Sequence, residues 1–161
     1  MKRIYALCIL LLTFSFNLKS QTYCTTGLYS TGCTVGDNLD DVTLNNIVQT
    51  STGCSPNGYA DYTSDTVQIQ QTAQLVMSVT SGYSSQWYAI WIDNNDDGDF
   101  DDAGEHLWSS AQVGPAANVV YSENIVIPMT ISQGTHRMRM RCKWSGSAIQ
   151  ASESCTSFTY G

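Results

Sequence analysis

The chain has 161 residues, with fourteen carboxylates against seven lysines and arginines, for a formal net charge of −7. That balance repels phosphate backbones and excludes nucleic acid as a partner, while the length suits a single domain with a real core. Beyond the first twenty residues no run is apolar enough to cross a bilayer, which argues against membrane insertion.

The chain opens with "MKRIYALCILLLTFSFNLKS", two basic residues and then an apolar run from Ile4 to Phe16. This layout predicts a secretory signal peptide over residues 1–20, cut after Ser20, and a domain over 21–161 that is secreted or held at the cell surface. Cleavage removes Lys2, Arg3 and Lys19. Four cations then face fourteen carboxylates, a net charge of −10 that suits an exported domain dealing with metal cations.

Helical periodicity is absent after that point. Short β-prone runs follow one another: "DVTLNNIVQ", "DTVQIQ", "QLVMSVT", "QWYAIWID", "NVVYSENIVIP" and "HRMRMRCKW". Gly53, "SPNG", "SGYSS", "VGPAAN" and "SQGT" punctuate them. The pattern predicts an all-β protein, an immunoglobulin-like or jelly-roll β-sandwich. "QWYAIWID" is apolar on both faces and belongs in the middle of a sheet.

That strand leads into "WIDNNDDGDFDDAGE", where seven of fifteen residues are carboxylates. Asp93, Asn95 and Asp97 alternate, Gly98 follows, and Asp101 comes three residues later: D-x-N-x-D-G-x-x-D, the first nine positions of an EF-hand-type calcium loop. Calcium takes six to eight hard oxygens, and alternate residues of a tight turn can point them inward. Asp99 supplies its backbone carbonyl in this reading, Phe100 anchors the loop to the core, and Glu105 stands one residue later than the usual closing glutamate. Asp96 and Asp102 fall between ligand positions and face solvent. Magnesium, with its stricter geometry, fits less well. A solvated acidic turn would need neither the alternation nor the glycine.

Near the end of the chain, "HRMRMRCKW" alternates. His136, Met138, Met140, Cys142 and Trp144 share one face, and Arg137, Arg139, Arg141 and Lys143 the other, so Cys142 is expected as a buried thiol. The cation row reads as a solvated face or as a set of pairs with neighbouring acids. Of three pairings open to the remaining cysteines, Cys33 with Cys54 and Cys24 with Cys155 is preferred. His106 and His136 lie in no catalytic motif, and no enzyme is expected. Trp87, Trp91 and Trp144 read as packing, whereas Trp108 and Tyr83 are candidates for exposed contacts.

"WIDNNDDGDFDDAGE", "HRMRMR" and "CTSFTYG", in that order, resemble the GEVED domain of secreted proteins from Bacteroidetes-type bacteria. "YC" at Tyr23–Cys24 and "GCSPNGYADYT" at 53–63 match as well. The resemblance implies a β-sandwich module, an accessory unit of secreted proteases, adhesins or other surface proteins. Together with the loop's spacing it gives the expectation of a module that binds Ca2+ and serves adhesion or substrate targeting, with an extracellular glycan or matrix protein as partner. A purely structural spacer is the alternative, ahead of a carbohydrate-binding module or a fragment of a secreted protease. The family's Gly-Glu-Val-Glu-Asp run opens its last strand. This chain reaches Gly161, the first residue of that run, and is therefore expected to be truncated, with the closing strand missing and a sheet edge exposed.

Overall fold

Strands form where apolar and β-branched residues alternate, and in the computed structural model they build two stacked sheets. Residues 22–144 and 146–161 are described, so the expected signal segment lies outside the described residues. The strands are β1 (Val42–Leu44), β2 (Ile47–Gln49), β3 (Gln74–Val79), β4 (Gln86–Ile92), β5 (His106–Ser109), β6 (Tyr121–Val126) and β7 (Met138–Trp144). Single 3-10 turns stand at Pro56–Gly58 and Ala151–Glu153. One sheet has the order β2-β1-β3-β6, the other β5-β4-β7, and every pairing is antiparallel. The protein is a β-sandwich.

The period of two decides which residues go inside. In β3, Leu75, Met77 and Val79 are buried, with Ile125 and Tyr121 of β6 as cross-strand neighbours of Leu75 and Val79 in the same sheet. From β4 and β7, Tyr88, Ile90, Ile92, Met138, Met140 and Cys142 face the same interior. Each fully buried aliphatic side chain contributes roughly 1.5–3 kcal/mol.

The other face of β4 is also covered, which is why this strand is apolar on both sides. Ala89 and Trp91 pack with Phe100, Ile149 and Phe158 in a second cluster, joined by Tyr23, Tyr29 and Trp87. The cover comes from the two ends of the described chain. Trp91 Nε1–H donates to the Ala151 carbonyl at 2.9 Å, and Tyr29 bridges Phe158. The disulfide Cys24–Cys155 links these two ends, and Cys33–Cys54 closes a shorter loop. Both pairings are the preferred ones, and Cys142 is a free, buried thiol.

Three expectations need correction. "DTVQIQ" is not a strand: Asp65–Gln70 is irregular, although Val67 and Ile69 still pack on the core. "DVTLNNIVQ" is a hairpin rather than one strand, because Asn45 adopts a left-handed turn at φ 49° and its side-chain oxygen accepts from Val76 N–H. The cation row is neither solvated nor wholly matched to acids. Arg137 and Lys143 pair with Asp61 and Glu153, but Arg139 and Arg141 are 8% and 2% exposed. They donate to backbone carbonyls, Arg139 to Cys24 and Ser154, Arg141 to Leu28, Glu153 and Ser154. Alternation showed that the cations share a face; it could not show that the chain ends fold over it.

Candidate cation site at the acidic pole

The acidic stretch is the connection between β4 and β5. β4 ends in Ile92, whose N–H donates to the Glu105 carbonyl, and Asp93 N–H donates to Arg137 O beside the start of β7. Both ends of the loop are thus fixed to the central strand. Gly98 turns the chain at φ 100°, a conformation that disfavours any side chain. Phe100 is 2% exposed and lies 5.2 Å from the Tyr23 ring and 4.8 Å from the Arg139 guanidinium. It anchors the loop as its position implied.

Asp93 is the buried centre of the loop, with no exposed surface. Its carboxylate accepts from Tyr23 Oη at 2.6 Å, Gly98 N at 3.0 Å and Asp97 N at 3.2 Å. Burial pushes this carboxyl up, but the Tyr23 phenol and the surrounding backbone N–H groups outweigh it and hold the group below the usual carboxylate range. Glu105, 1% exposed, accepts from Asn94 N and Asp102 N. Here burial wins, with the Asp93 charge adding to it, and the carboxyl is raised despite those two donors.

Asp97 N–H is shared by Asp93 Oδ1 and Asn95 Oδ1, at 3.2 and 3.1 Å. These two oxygens are therefore drawn to one backbone N–H. Asp97 Oδ1 accepts from Asp99 N, and Asp99 Oδ1 from Asp101 N, a relay of short side-chain turns along the loop. Asp101 Oδ1 accepts from Ser154 Oγ at 2.9 Å. Among the described residues, no three His, Cys, Asp or Glu side chains converge as a metal-binding group. The donors are all hard oxygens, the kind calcium takes. Asp93, Asn95 and Asp97 bring theirs to the N-terminal half of the loop. Asp101 and Glu105 are engaged with the protein, and Asp99 faces along the loop through its own side chain.

Asp96 and Asp102 are both exposed. Asp102 receives the Asn95 amide at 2.6 Å, and Asp96 pairs with His136 Nδ1 at 3.0 Å. His136 Nε2 lies 3.0 Å from Ser132 Oγ. This Ser-His-Asp order is a tie rather than an activated nucleophile, because the Ser132 hydroxyl donates to Asn94 O and its N–H to Asn94 Oδ1. It fastens the turn before β7 to the acidic loop. Tyr23, Ser154 and the His136 tie escaped the sequence reading: each reaches the loop from 40 to 70 positions away. Only the adjacency of Tyr23 to a bridged cysteine hinted at a fixed position.

The two aromatic candidates lie apart. Trp108, on β5, is half-buried and packs 6.3 Å from Tyr121. Tyr83 is 42% exposed at the opposite end of β4 and meets Trp144 edge-on at 6.2 Å. Trp144, read as packing, is 39% exposed, since β7 carries it past the rim of the sandwich, where it also contacts Tyr160. Tyr83 and Trp144 together form an exposed aromatic pair.

Two disulfides belong to an oxidising compartment. No helix among the described residues is long and apolar enough to cross a membrane. No curated protein and no solved structure matches the chain. Residues 87–161, from β4 to the last residue, match the family model described as the GEVED domain.

Proposed function

Residues 87–161 belong to the GEVED domain family, and from that premise we propose that the chain is a non-catalytic accessory module of an exported protein, with one calcium ion held at its acidic pole. Its work is adhesion or substrate targeting, toward an extracellular glycan or matrix protein. The observation that carries the calcium reading is the pair of oxygens, Asp93 Oδ1 and Asn95 Oδ1, drawn to one backbone N–H in a loop spaced D-x-N-x-D-G-x-x-D. Asp93 is held ionised there, as a ligand must be, and the Asp97 carboxylate is the next oxygen along. The ion would supply charge neutralisation and cross-linking, not chemistry.

A structural spacer is the second reading. The loop's own ties favour it: Tyr23, Ser154 and His136 draw the chain ends and the turn before β7 onto one pole. Thermal unfolding of the domain with calcium and with chelator tests the metal. Binding to the folded state alone stabilises it by about 2.7 kcal/mol at a hundredfold excess over Kd. The melting temperature should rise with calcium, and Asp97→Ala should remove most of the gain; equal melting in both buffers contradicts the reading. Glycan and matrix-protein arrays separate the adhesive module from the spacer, and Tyr83→Ala should abolish any such binding without lowering the melting temperature by more than a degree or two.

A further inference from the structure

Arg139 is a buried cation, 8% exposed, and among the described residues no carboxylate forms an ion pair with it. A buried charge of this kind is costly unless something nearby answers it. Its Nη2 donates to the Cys24 carbonyl, its Nη1 to the Ser154 carbonyl, and the Phe100 ring covers one face of the guanidinium. The rest of its reach is to sulfur. Nη1 lies 2.5 Å from Cys24 Sγ and 3.4 Å from Cys155 Sγ, so both atoms of the longer disulfide face one positive charge.

The two bridges differ in this contact and not in access. Cys155 and Cys54 are both exposed, whereas their partners, Cys24 and Cys33, are half-buried and buried. Beyond its bridge, Cys33 Sγ meets the Ser55 carbonyl at 3.8 Å, a neighbour that offers a departing thiolate no charge. Thiol–disulfide exchange favours the sulfur that leaves more easily, and an adjacent cation makes a thiolate a better leaving group. The Cys24–Cys155 bridge is therefore built to open one way: an incoming thiolate reaches Cys155, and Cys24, nearer to Arg139, departs. The flanking residues give this a consequence. Tyr23, beside Cys24, donates to Asp93, and Ser154, beside Cys155, donates to Asp101. The bridge thus holds both donors against the acidic loop.

We propose that Cys155 is a site of reversible S-thiolation by a small aliphatic thiol, with Cys24 as the leaving group and Arg139 as its counter-ion. The incoming thiol gives its proton to solvent, and the thiolate bonds to Cys155 Sγ as the bond to Cys24 Sγ breaks. The electron pair goes to Cys24 Sγ, which stands as a thiolate against the guanidinium. One disulfide replaces another, so no oxidant or reductant is consumed. Attack by Cys24 on the adduct reverses the step and expels the small thiol. While the adduct lasts, Tyr23 and Ser154 are no longer tied to each other, and their hold on the loop loosens. The inference stands apart from the calcium reading, since neither the exchange nor its direction involves an ion.

The test treats the native domain of residues 21–161 with 2-mercaptoethanol at mildly alkaline pH, traps free thiols with iodoacetamide at low conversion, and maps the products by mass. Cys155 should carry the mercaptoethanol and Cys24 the alkyl group, in about tenfold excess over the reverse, and Cys24–Cys155 should open about tenfold faster than Cys33–Cys54. Amide exchange at Asp97 and Gly98, whose N–H groups share Asp93 with Tyr23, should quicken in the adduct. Arg139→Met keeps a side chain against Phe100 and removes the charge, and should slow the opening about tenfold relative to the other bridge. If that variant loosens the fold, single cysteines decide. The Cys24 thiol of Cys155→Ser should then be alkylated at mildly acidic pH about tenfold faster than the Cys155 thiol of Cys24→Ser. Adducts mainly on Cys24, Cys33 or Cys54, equal alkylation of the two single thiols, or unchanged exchange at Gly98 would overturn the proposal.

Discussion

Cys142 shows what one residue gains from its place in a strand. Burial pushes its thiol up to about 12, from 9.0 in an open chain. The folded state therefore prefers the neutral form over a window in which the unfolded chain ionises. Stability is indifferent to this thiol below pH 9, falls as pH rises from 9, and stops falling beyond about 12. A thiol reagent at pH 8 should leave the native domain of residues 21–161 unlabelled and modify one thiol after denaturation; rapid labelling of the native domain contradicts the assigned burial. Alternation made this residue legible, because Met138, Met140 and Cys142 keep one parity and that parity faces the interior. The alternating oxygens of the acidic loop were legible for the same reason, as a spacing. Tyr23 was not, since its hydrogen bond to Asp93 joins residues seventy positions apart.

Among elements, β7 departs most from its sequence appearance. A row of alternating arginines reads as a wet surface, yet Arg139 and Arg141 sit among rings. Arg139 lies over Phe100, and Arg141 lies 4.2 Å from the Phe158 centroid and 5.1 Å from Tyr29. Guanidinium stacks well on aromatic faces and offers a planar fork to several carbonyls at once. Arg141→Ala strips donors from the Leu28, Glu153 and Ser154 carbonyls and empties the space beside Ala89. It should cost about 3 kcal/mol in urea unfolding. Arg137→Ala, at a half-exposed pair with Asp61, should cost under about 1 kcal/mol. Equal losses in the two variants would mean that the row acts only as surface charge. Strand existence was readable for β3, β6 and β7 from alternation, and for β4 from an unbroken apolar run, each six or seven residues long. β5 was missed because four half-buried residues carry too little period, and Asp65–Gln70 had the period but gained no partner strand.

Over the whole molecule, the design is a sandwich whose second sheet is wrapped by the chain's own ends. The wrap explains why β4 is apolar on both faces and why the cations of β7 can be buried at all. The Cys24–Cys155 bridge holds it, spanning 131 positions, against 21 for Cys33–Cys54. In the chain-entropy view, long loops constrain the unfolded state more, by about 5 kcal/mol for the longer and about 3 kcal/mol for the shorter. Replacing Cys24 and Cys155 by serine should therefore lower stability more than replacing Cys33 and Cys54, and should raise amide exchange across residues 22–30 and 150–158. If the shorter bridge matters more, the wrap is not what stabilises the second sheet.

The acidic pole belongs to this same scale, because the loop gathers β4, both chain ends and the turn before β7 at one point. The most direct measurement is calorimetric titration of calcium into the chelator-stripped domain, alongside Asp93→Asn and Asp97→Ala. One ion per chain should bind, with both variants losing the heat of binding while their circular dichroism stays that of a β-sandwich. Absence of any calcium heat in the intact domain, with the fold unchanged, would contradict a cation site and leave the loop as a staple made of its own hydrogen bonds.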